Sequence, residues 1–233
     1  MHVKVCGITR MEDALLATDL GAHAIGFVLW PGSPRAIDPL RARDIVRQLP
    51  PLVSVVGVFV DQPLREVRRL ARLLPLDAVQ LHGCESPSYC ERTGWRVIKA
   101  FGASPATGDE VGAFARSILV LLDARDPVKH GGTGRTLDWE LAARIAHARP
   151  TLLAGGLRPD NVSEAIERVR PFGIDVSSGV EARPGVKDPG RLREFFAALQ
   201  DTARARGGVS SDCANTQAVN QRVARVARGR IDW

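Results

Sequence analysis

The stretch TLLAGGLRPDNVSEAIERVRPFGIDVSSG, residues 151–179, holds one full unit of the chain's architecture. It opens with a short apolar run closed by two glycines, TLLAGG (151–156). A helical pattern follows over Asp160–Val169, and a second apolar run, GIDVSSG (173–179), ends in serines and glycine. An acidic residue at the head of the middle segment suits a helix N-terminus, where it meets the positive end of the backbone dipole. Short apolar runs bounded by turn residues suit strands buried on both faces, as in a parallel sheet.

The same unit recurs back to the N-terminus. Further strand-like runs are VKVCGI (3–8), AIGFVLW (24–30), VSVVGVFV (53–60), AVQLHG (78–83), RVIKAF (96–101) and ILVLLDA (118–124). Helical stretches fall between them at Glu12–Leu20, Leu40–Leu49, Pro63–Leu74 and Asp138–His147. A last helix starts at Asp188-Pro189 and runs to Leu199. Strands alternating with helices over residues 1–200 predict an α/β protein, a single (β/α)8 TIM barrel near the lower size limit of that fold. An open doubly wound sheet is the competing architecture. It usually carries G-x-G-x-x-G after its first strand, and Gly7-Ile8-Thr9-Arg10 does not match.

Residues 201–233 do not conform to the repeat. They hold few large apolar residues before their end, so they form a basic C-terminal tail expected to be flexible. A basic helix over Gln217–Arg228, set against a partner, is the sharper alternative. The whole chain has 233 residues and a formal net charge of +6. The tail carries six arginines against three aspartates, half of that excess. The barrel segment is only mildly basic, which suits an anionic small molecule as well as a polymer. No apolar stretch approaches the roughly 18–20 residues of a membrane-spanning helix, and MHVKVCGITR lacks a signal pattern. A cytoplasmic enzyme with neither membrane nor nucleic-acid partner is expected. Cys6, Cys84, Cys90 and Cys213 form no C-x-x-C pair, so free thiols are expected and no metal site.

In a (β/α)8 barrel the active site lies at the C-terminal ends of the strands. That rule selects Cys6, the loop holding Arg35, the pair Gln80 and His82, Asp123, and the loops Gly155-Gly156 and Ser177-Ser178-Gly179. Glycines after strands seven and eight let backbone N–H groups approach phosphate oxygens. HGGTGR (130–135) is a candidate cover over the same rim. Each residue also has a plainer reading. Cys6 could be a small buried hydrophobe, Asp123 a partner of Arg125 or Lys99, and Arg35 a solvated loop residue. Together they offer a thiol, a carboxyl group, an arginine and a phosphate cradle at one mouth.

The stretches K-V-C-G-I-T (4–9), G-F-V-L-W-P-G-S-P-R (26–35), Q-L-H-G (80–83), L-L-D (121–123), G-G-T-G-R-T-L-D-W (131–139), G-G-L-R-P-D-N-V (155–162) and D-V-S-S-G-V-E (175–181) closely resemble the phosphoribosylanthranilate isomerase family of tryptophan biosynthesis. The resemblance spans about residues 3–200 and leaves the tail without a counterpart. It implies an Amadori rearrangement of N-(5-phosphoribosyl)anthranilate to 1-(2-carboxyphenylamino)-1-deoxyribulose 5-phosphate, with no cofactor and no metal. It implies Cys6 as general base and Asp123 as general acid. It assigns Arg35 to the anthranilate carboxylate, and Gly155, Gly156, Ser178 and Gly179 to the phosphate. Asp175 becomes a contact to the sugar hydroxyls, and Gln80 and His82 further substrate contacts. Such roles require a lowered thiol pKa and a raised carboxyl pKa. A monomer or homodimer is expected. Other phosphosugar enzymes on the same barrel and a basic nucleic-acid binder are the alternatives. Against the first, a bifunctional isomerase is expected to carry an aspartate near the end of strand one, where Cys6 stands, and an epimerase to show metal ligands; the second lacks an aromatic stacking stripe.

Overall fold

The computed structural model describes residues 1–102, 104, 106–123 and 139–207. The HGGTGR loop, Arg125, Asp138, Cys213 and Gln217–Arg228 lie outside the described residues. Eight parallel strands close into one barrel in chain order: β1 (His2–Cys6), β2 (Ala24–Val28), β3 (Ser54–Phe59), β4 (Ala78–Leu81), β5 (Arg96–Gly102), β6 (Leu119–Asp123), β7 (Thr151–Ala154) and β8 (Gly173–Val176). Closure sets β1 beside β8, with Lys4 opposite Asp175. All eight expected runs hold a strand.

The helices are α1 (Met11–Asp19), α2 (Pro39–Val46), α3 (Leu64–Leu73), α4 (Pro87–Arg92), α5 (Thr107–Gly112), α6 (Trp139–Ala148), α7 (Val162–Val169) and α8 (Pro189–Gly207). Three of them start in one way, with a capping side chain followed by proline. Asp38 accepts from the N–H groups of Leu40 and Arg41, Ser86 from Tyr89, and Asp188 from Gly190 and Arg191. Proline at the first helical position loses no intrahelical bond, and the cap satisfies N–H groups that the helix leaves open. On α3 the residues Val67, Leu70 and Ala71 are buried, as their helical spacing requires.

Three differences from the sequence reading have local causes. Helices α4 and α5 have six residues each, too short to show a helical period. Helix α7 starts at Val162 because the Asn161 side chain accepts from the Arg158 N–H and donates to the Gly156 carbonyl, while Asp160 pairs with Arg158. Helix α8 runs past Leu199 to Gly207, since no glycine or proline interrupts QDTARAR. The chain forms two compact units, Met1–Ala198 and Leu199–Trp233. No helix among the described residues is long and apolar enough to cross a membrane.

After β8 the chain makes a single 3₁₀ turn (Ser178–Val180) and a small antiparallel hairpin, β9 (Glu181–Arg183) and β10 (Val186–Lys187). Its turn is Pro184-Gly185, with Gly185 at φ 78°. That is the proline-then-glycine chemistry of a type II turn.

Candidate active site

Side chains on a strand alternate between faces, so residues two apart share one. On β1 that puts Lys4 and Cys6 on one face. The same period pairs Leu121 with Asp123 on β6, continues from Gln80 on β4 to His82, and continues from Asp175 on β8 to Ser177. The inward face of each of these strands therefore turns polar toward its C-terminal end. A cavity of about 270 Å³ opens there. It is lined by Cys6, Arg35, Gln80, His82, Asp123 and Asp175, and by Gly155, Gly156, Ser178 and Gly179. All ten residues selected from the sequence thus reach one cavity. Val28, Val58 and Ala154 supply apolar wall between them.

The rim is built by close backbone approach. Gly155 and Gly156 have φ of 82° and 69°, a conformation that side chains other than glycine rarely adopt. Gly179 lies hard against the other loop: a Cβ there would stand 1.8 Å from the Leu157 carbonyl oxygen. The loops after β7 and β8 are therefore in direct contact, with glycine at the contact.

Asp123 closes β6 and is partly exposed to the cavity. His82 Nε2 lies 3.4 Å from its Oδ2, and Gln80 Nε2 lies 3.0 Å from His82 Nδ1. Gln80, His82 and Asp123 thus form a polar row along one side of the cavity. Lys99, one of the two partners that the plainer reading offers Asp123, instead pairs with Glu85 and donates to the carbonyls of Leu81, Gly83 and Ala100.

Arg35 is held by two oxygens of one carboxylate. Its Nε and Nη2 donate to Glu181 at 2.9 and 2.7 Å, in the fork geometry only arginine offers. Glu181, almost fully buried, is also paired with Lys187 Nζ at 3.0 Å. Burial works against the Glu181 charge, but Arg35 and Lys187 outweigh it and hold its carboxyl below the usual range. Lys187 also donates to the carbonyls of Cys6 and Ser177, tying the ends of β1 and β8 to the hairpin. Glu181 and Lys187 were not selected from the sequence. The Pro184-Gly185 turn signals a hairpin, and a buried glutamate and lysine in a short hairpin need partners. Which partners they find is set by the fold.

Lys4 is the other residue missed. It is 2% exposed and pairs with Asp175 at 2.9 Å. A lysine inside the apolar run VKVCGI is a readable signal, because an unpaired buried ammonium is costly. The expected lowering of the Cys6 thiol is not met. Burial pushes the thiol up, Lys4 and Lys187 pull it back toward the thiolate, and Asp175 opposes them. Burial likewise pushes Asp175 up, against the pull of Lys4.

A closed parallel barrel with a thiol and a carboxyl group on one cavity at its strand ends, and a glycine contact between the loops after strands seven and eight, defines the class of TIM-barrel enzymes. The family model described as N-(5'-phosphoribosyl)anthranilate (PRA) isomerase matches residues 3–198. The N-(5'-phosphoribosyl)anthranilate isomerase of Pelobacter propionicus is 48% identical over 202 residues, covering 87% of this chain and 97% of its own. The crystal structure of phosphoribosyl anthranilate isomerase from Thermotoga maritima is similar at a TM-score of 0.80 and 44% identity, covering 86% of this chain and 99% of its own. A second isomerase structure, in complex with reduced 1-(o-carboxyphenylamino)-1-deoxyribulose 5-phosphate, is similar at 0.77 and 42%, with the same coverages of 86% and 99%. The chain belongs to the N-(5'-phosphoribosyl)anthranilate isomerase family.

Proposed function

We propose that Cys6 and Asp123 carry out the family's isomerisation of N-(5-phosphoribosyl)anthranilate to 1-(2-carboxyphenylamino)-1-deoxyribulose 5-phosphate. The observation that carries the assignment is their placement on one cavity that is also lined by the glycine contact between the loops after β7 and β8. The phosphate is held at the backbone amides of Gly155, Gly156, Ser178 and Gly179, where glycine lets N–H groups come to close range. Arg35 takes the anthranilate carboxylate with the guanidinium edge not committed to Glu181. Asp175 receives a sugar hydroxyl, and Gln80 and His82 line the path between sugar and acid.

With the substrate so placed, Asp123 as the carboxylic acid gives its proton to the furanose ring oxygen. The C1′–O bond breaks and the nitrogen lone pair forms the Schiff base. Cys6 as thiolate then takes the proton from C2′, leaving an enolamine. Tautomerisation delivers a proton to C1′ and makes the C2′ ketone. In that tautomerisation the C2′ hydroxyl proton is lost as C1′ gains one, and the Cys6 thiol returns its proton to the Asp123 carboxylate through solvent, so atoms and electrons balance without an external redox partner. Burial opposes the thiolate, so the reaction draws on the pull of Lys4 and Lys187 against it.

The enzyme works as a monomer or a homodimer. A doubly anionic substrate does not cross a membrane unaided, so the enzyme acts where its substrate is made, in the cytoplasm. The barrel segment 1–200 carries the reaction and 201–233 takes no part in it. The test is turnover. Phosphoribosylanthranilate is generated in situ from anthranilate and phosphoribosyl pyrophosphate, and its fluorescence is followed after enzyme is added. Loss of signal that disappears in Cys6→Ser is the expected result. Full turnover by that variant would remove Cys6 from its role.

A further inference from the structure

A buried charge pair stands directly behind Cys6. Lys4 Nζ donates to Asp175 Oδ1 at 2.9 Å across the β1–β8 closure, and both side chains are nearly fully buried. Lys4 does not line the cavity, whereas its neighbours Cys6 and Asp175 do. Its ammonium has three hydrogens and Asp175 Oδ1 uses one. Lys4 and Cys6 stand two residues apart on β1, on one face of the strand.

Gly26 on β2 makes this convergence visible. A Cβ built on Gly26 would stand 2.8 Å from the Cys6 sulfur and 3.0 Å from Lys4 Nζ. The thiol and the ammonium thus crowd one point, in space that only glycine leaves open on β2, the strand beside them. The remaining charged groups around the thiol are known by element. Asp175 comes from β8, Lys187 from β10, and Arg35 from the loop after β2 with Glu181 behind it. Asp123 from β6 and His82 from the β4 end act on Asp175.

We propose that Lys4 is a positioning residue that sets the thiolate population of Cys6, with Asp175 dividing the ammonium's charge between the two anions. When Cys6 is a thiol, Lys4 is matched by Asp175. When Cys6 is a thiolate, the same ammonium faces both, and the Asp175 charge opposes the second anion. A substrate hydroxyl donating to Asp175 weakens that opposition and leaves more of the ammonium to the sulfur. Substrate binding and base activation are linked through Lys4. The bearing of this on isomerisation rests on the role of Cys6 proposed above; its bearing on the thiol does not.

The test is the rate of Cys6 alkylation by iodoacetamide as a function of pH. Cys84 is exposed and is replaced by serine in all variants, as is Cys213; the buried Cys90 thiol is pushed up to about 11 and reacts little. Lys4→Met removes the cation, so the thiolate fraction at pH 8 should fall about tenfold or more, one unit of pKa being one decade. Asp175→Asn removes the competing anion, so the rate at pH 8 should rise by about the same factor. Opposite signs from two partners of one ion pair are not the signature of lost packing. If Lys4→Met fails to fold, Lys4→Gln, which also removes the cation but keeps a donor to Asp175, makes the same test. Alkylation rates within twofold of the parent in the folded variants would overturn the proposal. In Lys4→Met, kcat/KM for the isomerase should fall in step with alkylation. A fall in alkylation with kcat/KM unmoved would support the Lys4–Cys6 link while removing Cys6 as the base.

Discussion

Replacing Gly179 by alanine should damage phosphate binding far more than its single methyl group suggests. The added Cβ would begin 1.8 Å from the Leu157 carbonyl oxygen, and real Cβ contacts do not fall below 3.0 Å. The two loops must therefore separate by about 1.2 Å, and the obstacle is backbone, which cannot swing aside like a side-chain tip. Leu157 directly follows Gly155 and Gly156, so the displacement moves one side of the cradle against the other. Hydrogen bonds to phosphate tolerate only about 2.7–3.2 Å, so one side's bonds are lost or stretched past use. A hydrogen bond to a charged group contributes about 1.5–3 kcal/mol, which converts to roughly 10–150-fold in affinity. The readout is the inhibition constant of inorganic phosphate or ribose 5-phosphate, together with KM for the substrate. Both should rise by one to two decades with kcat less affected. Gly156→Ala is the comparison: no atom lies within 4 Å of its Cβ, so it meets only the strain of φ 69°. That strain costs about 1 kcal/mol, so the inhibition constant there should move less. An inhibition constant for Gly179→Ala within twofold of wild type would refute the assignment of this rim to phosphate.

Asp123→Asn keeps the shape but cannot protonate the ring oxygen, so kcat should fall by about 10²–10⁴ with product affinity nearly kept, as single-turnover and binding titrations would record. Arg35→Ala should raise KM by about tenfold or more through loss of the carboxylate fork; an unchanged KM would remove Arg35 from binding. Glu181→Gln should destabilise the barrel at neutral pH. The folded Glu181 carboxyl titrates below its unfolded value, so its contribution is present above the unfolded pKa of about 4.3 and fades as pH falls through the folded one. Denaturant midpoints of parent and variant should therefore converge toward acid pH; a gap that widens there would contradict the ion-pair reading. Removal of residues 208–233 should leave turnover within twofold of the full chain, since the family match ends at residue 198.

Local rules make much of this molecule legible. Apolar runs of strand length, proline-led caps and glycine closures mark the eight strands and most helices. The strand-end rule of the barrel carries Cys6, Gln80 and Asp123 to one mouth from their places in these runs alone. The two six-residue helices escape because they are shorter than two turns. The hairpin after β8 escapes because its strands have three and two residues, below the length at which alternation shows.

Local pattern is therefore enough for the barrel, for the mouth at which its chemistry sits and for the residue types gathered there. It is not enough for the pairings, which are a property of the folded chain. Lys4 meets Asp175 across 171 positions, Arg35 meets Glu181 across 146, and Lys187 reaches the Cys6 carbonyl across 181. Barrel closure brings the last strand beside the first, and no local pattern reports a distance of that kind. The state of Cys6 follows from the same closure. Its proposed role calls for a thiolate, but burial raises the thiol, and the balance is struck by Lys4 on the same strand and by Lys187 and Asp175, which only the folded chain brings to it.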